Sequence, residues 1–175
     1  MNQLKDKENK NSQPLEHAYD RMLQRAEQTL GSVAARSGSA LVHALETAKD
    51  EAISLGELTR EEADRVHHFI SRDLYDAGRH LAEGEREVAD WLRLGLLVAE
   101  QDLLNRFSNL AKTAKLEFKH LEKAKHRYDE WHTGEVTTIG TLCCQDCGEL
   151  IRFQSTGHIP PCPKCHATVF RRTRK

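Results

Sequence analysis

The chain has 175 residues and lacks cysteine entirely in its first 142 positions, since all five cysteines fall in the last 33. Disulfides and thiolate ligands are therefore excluded from most of the sequence. This uneven distribution divides the chain into a long part without thiols and a short C-terminal part that contains them all. Length and composition together predict one helical domain followed by a mini-domain.

Long hydrophobic runs are also missing. The longest apolar stretch, residues 91–99, is interrupted by Arg93 and Gly95 and falls short of the roughly 20 residues that span a bilayer. Residues 1–13 are polar and have no apolar segment of the kind a secretory signal needs, so we expect a disordered N-terminus. We expect a soluble, cytoplasmic protein with no membrane partner. In that reducing compartment, paired thiols favour a metal over disulfides.

A large net charge is absent as well, because the chain sums to −1. From position 133 onward, six lysines and arginines against three acids give +3, and four thiolates on one divalent ion would lower this to about +1. This small excess weakens the case for nucleic acid. The remaining positive charge is concentrated at the end of the chain, where four side chains could contact phosphates: Arg171, Arg172, Arg174 and Lys175.

Two C-x-x-C motifs are present, Cys144 with Cys147 and Cys162 with Cys165, with fourteen residues between them. A two-residue spacer lets both thiolates of a motif point at one ion from a tight turn, and two such turns complete a tetrahedral shell of sulfurs. The spacing predicts a zinc ribbon over residues 133–172 with one structural Zn²⁺. Because so short a segment cannot bury a sufficient core, we expect it to unfold without metal.

The fifth cysteine, Cys143, directly precedes the first motif. A C-x-x-C spacing closes a turn better than the longer spacing that Cys143 would give, and alternation along a strand would point Cys143 away from the ion. We predict a free thiol here, and its redox role stays open. His158 and His166 would serve as ligands only if a cysteine dropped out, so we expect them to be surface histidines.

Apolar residues recur at helical spacing across residues 14–132, which predicts a helical domain. Gly56 is placed to end the second helix, and Thr59 with Glu62 forms a capping box for a third helix that begins near Arg60. The first three predicted stripes are Leu15, Tyr19, Met22, Ala26 and Leu30; Leu41, Leu45, Ala48, Ala52 and Leu55; and Ala63, Val66, Ile70, Leu74, Ala77 and Leu81.

The fourth stripe is the longest and predicts a helix from about residue 86 to 131, roughly 70 Å in length. Its apolar face must be buried against the earlier helices or a second copy of the chain, as in a coiled coil. The predicted fold class is therefore mostly α, with long antiparallel helices in a hairpin or bundle and a small C-terminal β zinc ribbon. Predicted strands span 140–144, 149–153 and 168–172.

Several short stretches resemble the YbeL-like family of bacterial zinc-ribbon-containing proteins. They are Gly-Glu-Leu-Thr-Arg at 56–60, Arg-Asp-Leu at 72–74, and His-Thr-Gly-Glu-Val at 132–136, followed by Gly140, Leu142 and the two cysteine motifs, the second as Cys-Pro-Lys-Cys. The resemblance covers about residues 15–172 and implies zinc and helices without implying a particular activity. Such ribbons often have glycine after the second motif, where this chain has His166.

A four-sulfur shell leaves no open position for substrate or activated water, so we expect a structural metal and no enzyme activity. The favoured function is that of an adaptor, in which the ribbon and long helices present a surface to a protein partner. Binding to nucleic acid or the ribosome is the alternative. A remote alternative is an iron oxidoreductase that resembles rubrerythrin, but only residues 117–120 supply the Glu-x-x-His motif that two helices would need.

Overall fold

The computed structural model describes residues 3–32, 38–82, 102, 105–113 and 129–173. Three helices form its N-terminal part: α1 (Gln3–Ser32), α2 (Gly38–Ser54) and α3 (Arg60–Ala82). Residues 105–113 are also helical. Helix α1 begins at Gln3 and so includes most of the segment that the sequence predicted to be disordered.

The junction between α2 and α3 follows the predicted signals. Gly56 has a φ of 67°, and its N–H donates to the Ile53 carbonyl while that of Glu57 donates to the Ala52 carbonyl, both at 3.0 Å. This pair of bonds satisfies the last carbonyls of α2. At the start of α3, the Glu62 carboxylate accepts from the Thr59 N–H at 2.9 Å. Both predicted helix boundaries are confirmed.

Ion pairs show how the helices run. Arg25 of α1 binds both carboxylate oxygens of Glu57, just past the end of α2, at 2.8 Å each. Between α2 and α3, Lys49 lies 3.3 Å from Asp64, whereas Glu46, earlier in α2, lies 3.5 Å from His67, later in α3. Helices α2 and α3 therefore run in opposite directions.

The predicted apolar stripes meet in one core. Side chains from all three helices are buried there, and Phe107 and Leu110 join them from residues 105–113. Leu55 is an exception to its predicted stripe, because its position beside Gly56 at the end of α2 leaves it 64% exposed. Most of the predicted long helix lies outside the described residues. Residue 120, the histidine of the Glu-x-x-His motif, is also outside them. Trp131, its predicted last residue, lies in a strand.

The C-terminal part contains six short strands in two sheets. They are β1 (Trp131–His132), β2 (Val136–Thr137), β3 (Gly140–Cys144), β4 (Leu150–Phe153), β5 (Gly157–His158) and β6 (Val169–Arg172). One sheet has the order β1-β6-β3-β4 and the other pairs β2 with β5, and all pairings are antiparallel. Strands β3, β4 and β6 confirm the three predicted strands to within one residue. The three two-residue strands were not predicted.

The helices and the ribbon pack against each other across the predicted boundary between positions 132 and 133. Strand β1 belongs to the ribbon sheet although its residues were assigned to the helical domain. In the other direction, Val136 and Ile139 of the ribbon are buried within the helical core. Helix α1 also contacts the β2–β5 sheet, since Glu16 lies 3.0 Å from His158 Nδ1 and Asp20 accepts from Thr156 at 2.6 Å.

The centre of this junction is the buried carboxylate of Asp73 on α3. Its Oδ2 accepts hydrogen bonds from the Tyr19 and Thr137 hydroxyls and from the Thr138 N–H, at 2.9 to 3.0 Å. Its Oδ1 accepts from Trp131 Nε1 at 2.9 Å and lies 3.2 Å from Arg72 Nε and 3.5 Å from Arg172 Nη2. One side chain thus connects α1, α3 and the ribbon strands.

Electrostatics keep this carboxylate ionised despite its burial. Burial alone would raise the pKa of Asp73, but the guanidinium groups of Arg72 and Arg172 and the N–H of Thr138 hold that pKa below its usual value. Burial raises the pKa of Tyr19 well above its usual range, and the neighbouring Asp73 charge adds to this effect. Tyr19 therefore remains a neutral donor to a charged acceptor.

Arg172 corrects the prediction that all four basic side chains at the end of the chain could contact phosphates. It is 5% exposed, donates to the Thr137 hydroxyl at 3.1 Å, and lies over the Trp131 ring with its guanidinium carbon 5.1 Å from the ring centroid. In the described part of the tail, only Arg171 is exposed. Arg172 therefore acts in the core, and cannot be counted among the cations offered to a phosphate.

We expect Asp73→Asn to lower the free energy of unfolding by about 3–5 kcal/mol, because it removes the fully buried carboxylate charge that lies beside both Arg72 and Arg172. Asp64→Asn on the same helix is the control. Its side chain is 58% exposed and pairs with Lys49 at the surface, so its cost should stay below about 1 kcal/mol. Denaturant titration of zinc-loaded protein measures both values. Equal effects of the two substitutions would contradict the central role of Asp73.

Candidate metal centre

Two turns of the ribbon have the same backbone design. In the first, Gly148 N–H donates to the Cys144 carbonyl at 3.0 Å and Cys144 N–H donates to the Glu149 carbonyl at 2.8 Å. In the second, the N–H groups of His166 and Cys162 donate to the carbonyls of Cys162 and Ala167, each at 2.9 Å. Each C-x-x-C motif is therefore held in a tight turn that directs two sulfurs toward the same point.

The residue that follows each motif adopts a left-handed conformation. Gly148 has a φ of 76°, and His166, in the equivalent place of the second turn, has a φ of 63°. A side chain in this region costs about 1–2 kcal/mol, which explains why glycine is usual there. The histidine thus departs from the expected residue type and yet keeps the same turn geometry.

The four sulfurs of the motifs converge. All lie within 4.8 Å of one another, with Cys144 and Cys165 3.6 Å apart and Cys147 and Cys162 3.5 Å apart. A tetrahedral zinc with Zn–S bonds of about 2.3 Å requires sulfurs separated by about 3.8 Å. Spacing and ligand type therefore fit one Zn²⁺ in a shell made only of thiolates.

The shell is buried unevenly. Cys144 and Cys162 are buried, Cys147 is half-buried and Cys165 is exposed. Around the buried pair lies a small apolar cluster that includes Trp131, Leu142 and Phe170. The ion would therefore sit at the edge of this cluster, with solvent on the Cys165 side.

The local electrostatics differ from sulfur to sulfur. Burial opposes ionisation of Cys162, but hydrogen bonds from the N–H groups of Cys165 and Lys164 lower the pKa of this thiol to about 7. At Cys165, the Ala167 N–H favours the thiolate, yet the neighbouring Cys147 and the other motif thiols raise the pKa well above its usual value. A divalent cation removes this conflict, because it stabilises all four sulfurs as thiolates.

The other candidate ligands lie apart from this group. Cys143 Sγ lies 3.6 Å from the carbonyl oxygens of Cys144 and Gly148 and is not among the clustered sulfurs. His158 contacts Glu16 instead of the sulfurs, and His166 follows the second motif with an exposed side chain. The four predicted cysteines are thus brought together, and the three weaker candidates are not.

A di-iron centre finds no support in the described ranges, where the four cysteines form the only group of three or more metal-ligating side chains. Two aspartates also precede a histidine by three positions, Asp64 before His67 and Asp129 before His132, but Asp64 pairs with Lys49 and Asp129 with Arg79. The Glu-x-x-His motif at residues 117–120 lies outside the described part of the chain.

Comparisons with known proteins agree with this geometry. A family described as "Zinc-ribbon containing domain" matches residues 28–174. The chain is also similar to the protein named "Uncharacterized protein YbeL" in Escherichia coli strains K12 and O157:H7, with 28% identity over 138 residues. The alignment covers 78% of this chain and 85% of each relative. No solved structure gives a significant match.

The family match and the sulfur cluster together support one structural Zn²⁺ per chain, held by Cys144, Cys147, Cys162 and Cys165. The sulfurs supply charge neutralisation and geometry, and the ion fixes the two turns relative to each other. Among the residues that the structure describes, no helix combines the length and apolar character needed to cross a membrane.

We expect Cys162→Ser to abolish stoichiometric zinc binding, whereas Cys143→Ser should retain about one zinc per chain because its sulfur lies outside the shell. Elemental analysis of both purified variants measures the difference. Loss of zinc from Cys143→Ser, or full zinc in Cys162→Ser, would show that the ligand set is different.

Removal of zinc by a chelator should expose Trp131, which is 1% exposed and lies in the ribbon's apolar cluster. In a Trp91→Phe background, its fluorescence emission should shift to longer wavelength and return when zinc is restored, because the ribbon depends on metal for its fold. An emission maximum unchanged in metal-free protein would mean that contacts with the helices suffice to hold the strand.

Proposed function

This chain belongs to the family of proteins with a zinc-ribbon containing domain, and we propose that it is a non-enzymatic adaptor whose zinc-stabilised ribbon presents a surface to a macromolecular partner. The observation that carries this proposal is the convergence of four cysteine sulfurs on one point. Four thiolates saturate a tetrahedral ion, which leaves no coordination position for a substrate or a reactive water. The metal then contributes shape and no reaction.

The exposed parts of the two turns are suited to recognition. The exposed side chains are Asp146 in the first turn and Lys164 and His166 in the second. The buried sulfurs anchor the same turns to the ribbon's apolar cluster. A surface whose loops are fixed before binding loses less conformational entropy when a partner docks. A protein partner that reads both turns together would therefore depend on the metal.

The anchoring of the ribbon to the helices extends this argument. Asp73 bonds both to α1 and to the ribbon, so the turns keep a fixed position relative to the helical core. In the proposed adaptor, the helices act as a support that sets where the ribbon points. We also propose that the chain forms a coiled-coil homodimer through the predicted long helix. The proposed location is the reducing cytoplasm, where the cysteines stay reduced and can bind zinc.

Binding to nucleic acid or the ribosome is the second candidate. Arg171 is exposed on β6 and Arg152 is exposed on β4, two strands that flank β3 in the same sheet. Arg174 and Lys175 follow in sequence and add two cations. Burial of Arg172 removes one of the four cations first assigned to this role. The candidate therefore rests on fewer charges than the sequence suggested.

Affinity capture followed by binding of the identified, purified partner tests the adaptor function. We expect the intact chain, Cys143→Ser and a chain ending at Thr173 to bind alike, and Cys162→Ser to lose the partner, because only the last disrupts the ribbon. The affinity should change little between low and physiological salt.

Two outcomes would contradict the adaptor. Retention of the partner by zinc-free Cys162→Ser would move recognition away from the ribbon. Recovery of nucleic acid, with an affinity that falls steeply with salt and on removal of residues 174–175, would favour the second candidate.

A further inference from the structure

One face of the ribbon sheet turns away from the apolar cluster. In the strand register, Thr141 lies opposite Arg152 and Cys143 lies opposite both Leu150 and Arg171. Residues paired across strands share a face, and so do alternate residues along β3. These side chains therefore form one surface, which we call the open face.

The open face forms one wall of a cleft of about 820 Å³. Its lining also includes Asp76 and Arg79 of α3 and Asp129 and Glu130 before β1. This volume lies in the range of sites that hold small molecules, about 300–1,000 Å³. The cleft is separate from the four clustered sulfurs, since none of the four lines it.

Most charges in the cleft are already paired. Arg79 binds Asp76 and Asp129, each at 2.9 Å. Arg172 pairs with Asp73 in the core, and Glu130 lies 3.7 Å from His132. Arg79 therefore compensates the charges of Asp76 and Asp129, whereas Glu130 is solvent-exposed and has a histidine as its neighbour.

Arg152 and Arg171 are different. Both are exposed, both line the cleft, and within the described residues neither forms an ion pair. Their strands flank β3, so the two backbones lie about 10 Å apart, twice the usual spacing of neighbouring strands. Arginine side chains on such backbones can reach one anion from two sides. Thr141 lies on the strand between them and brings a hydroxyl to the same face.

The composition of the cleft indicates which anion fits. Two guanidinium groups with a hydroxyl between them match the several oxygens of a phosphate, which accepts paired N–H donors. Trp131 is the aromatic residue in the lining, and it is buried under two arginines, so no ring is offered on which a base could stack. The site favours a small phosphate compound over a nucleic-acid strand.

We propose that the cleft lined by the open face is a binding site for a small phosphate-bearing ligand, held by Arg152 and Arg171 with Thr141 between them. This site goes beyond the adaptor function and does not use the zinc. It is a second binding site on the ribbon, and its ligand would contact β3 and β6, the two strands that also connect to the sulfur shell.

Inorganic pyrophosphate, titrated into zinc-loaded full-length protein at low salt, tests the site. We expect saturable changes in the arginine Nε–Hε resonances of Arg152 and Arg171 in NMR spectra. The double variant Arg152→Gln, Arg171→Gln should weaken binding by about tenfold or more, since it removes two charge-assisted contacts. Arg65→Gln, an exposed arginine on α3 outside the cleft, is the matched control and should bind as the intact chain does.

Zinc content and circular dichroism of each variant establish that it is folded. Absence of saturation at about 10 mM pyrophosphate, or equal binding by the double variant and the control, would overturn the site. A single-stranded oligonucleotide of about ten nucleotides forms the second arm. If it binds through the same arginines while pyrophosphate does not, the small-ligand assignment is wrong and the phosphates belong to a nucleic acid.

Discussion

The buried carboxylate of Asp73 connects the helices to the ribbon. It receives hydrogen bonds from a tyrosine of α1, from a tryptophan of β1, from the last threonine of β2 and from the threonine that follows it, and it lies beside two buried arginines. A charge removed from water is tolerated only where enough donors replace the lost solvent. Here those donors come from both parts of the chain. The ribbon is therefore docked by chemistry that neither part could satisfy alone.

Zinc and this carboxylate act on two neighbouring strands of the same sheet. Cys144 ends β3, whereas Arg172, which contacts Asp73, ends β6, and these two strands are paired. The ion fixes the turns and the carboxylate fixes the sheet against α3. Since β3 and β6 are paired, we expect loss of either constraint to disturb the other. Metal binding is often coupled to folding, and in this chain the strand that carries Cys144 is paired with a strand that contacts α3.

The metal centre could be predicted from sequence, whereas the docking could not. Two C-x-x-C motifs predict a four-cysteine metal site because a two-residue spacer places both thiolates of a motif on one tight turn. Gly56 and Thr59 predicted a helix boundary in the same way, through chemistry within a few residues of the chain. Asp73 and Arg172 give no such signal. A charged residue beside an apolar stripe reads as solvated, and its burial depends on donors that lie 54 to 65 positions away along the chain. When a buried charge is paired with residues far away in the sequence, no periodic sequence pattern indicates it. For this reason the sequence placed Arg172 among the basic residues of the tail.

Because the four sulfurs are unevenly buried, we expect different ligands to determine the affinity for the ion and its rate of exchange. Cys144 and Cys162 lie inside the apolar cluster, where water and competing thiols do not reach, while Cys165 faces solvent. With zinc bound, a competing chelator would reach the ion from the side of Cys165, which is the most exposed of the four ligands. Substitutions around Cys165 should therefore change the lifetime of the bound ion, and substitutions around the inner pair its equilibrium affinity.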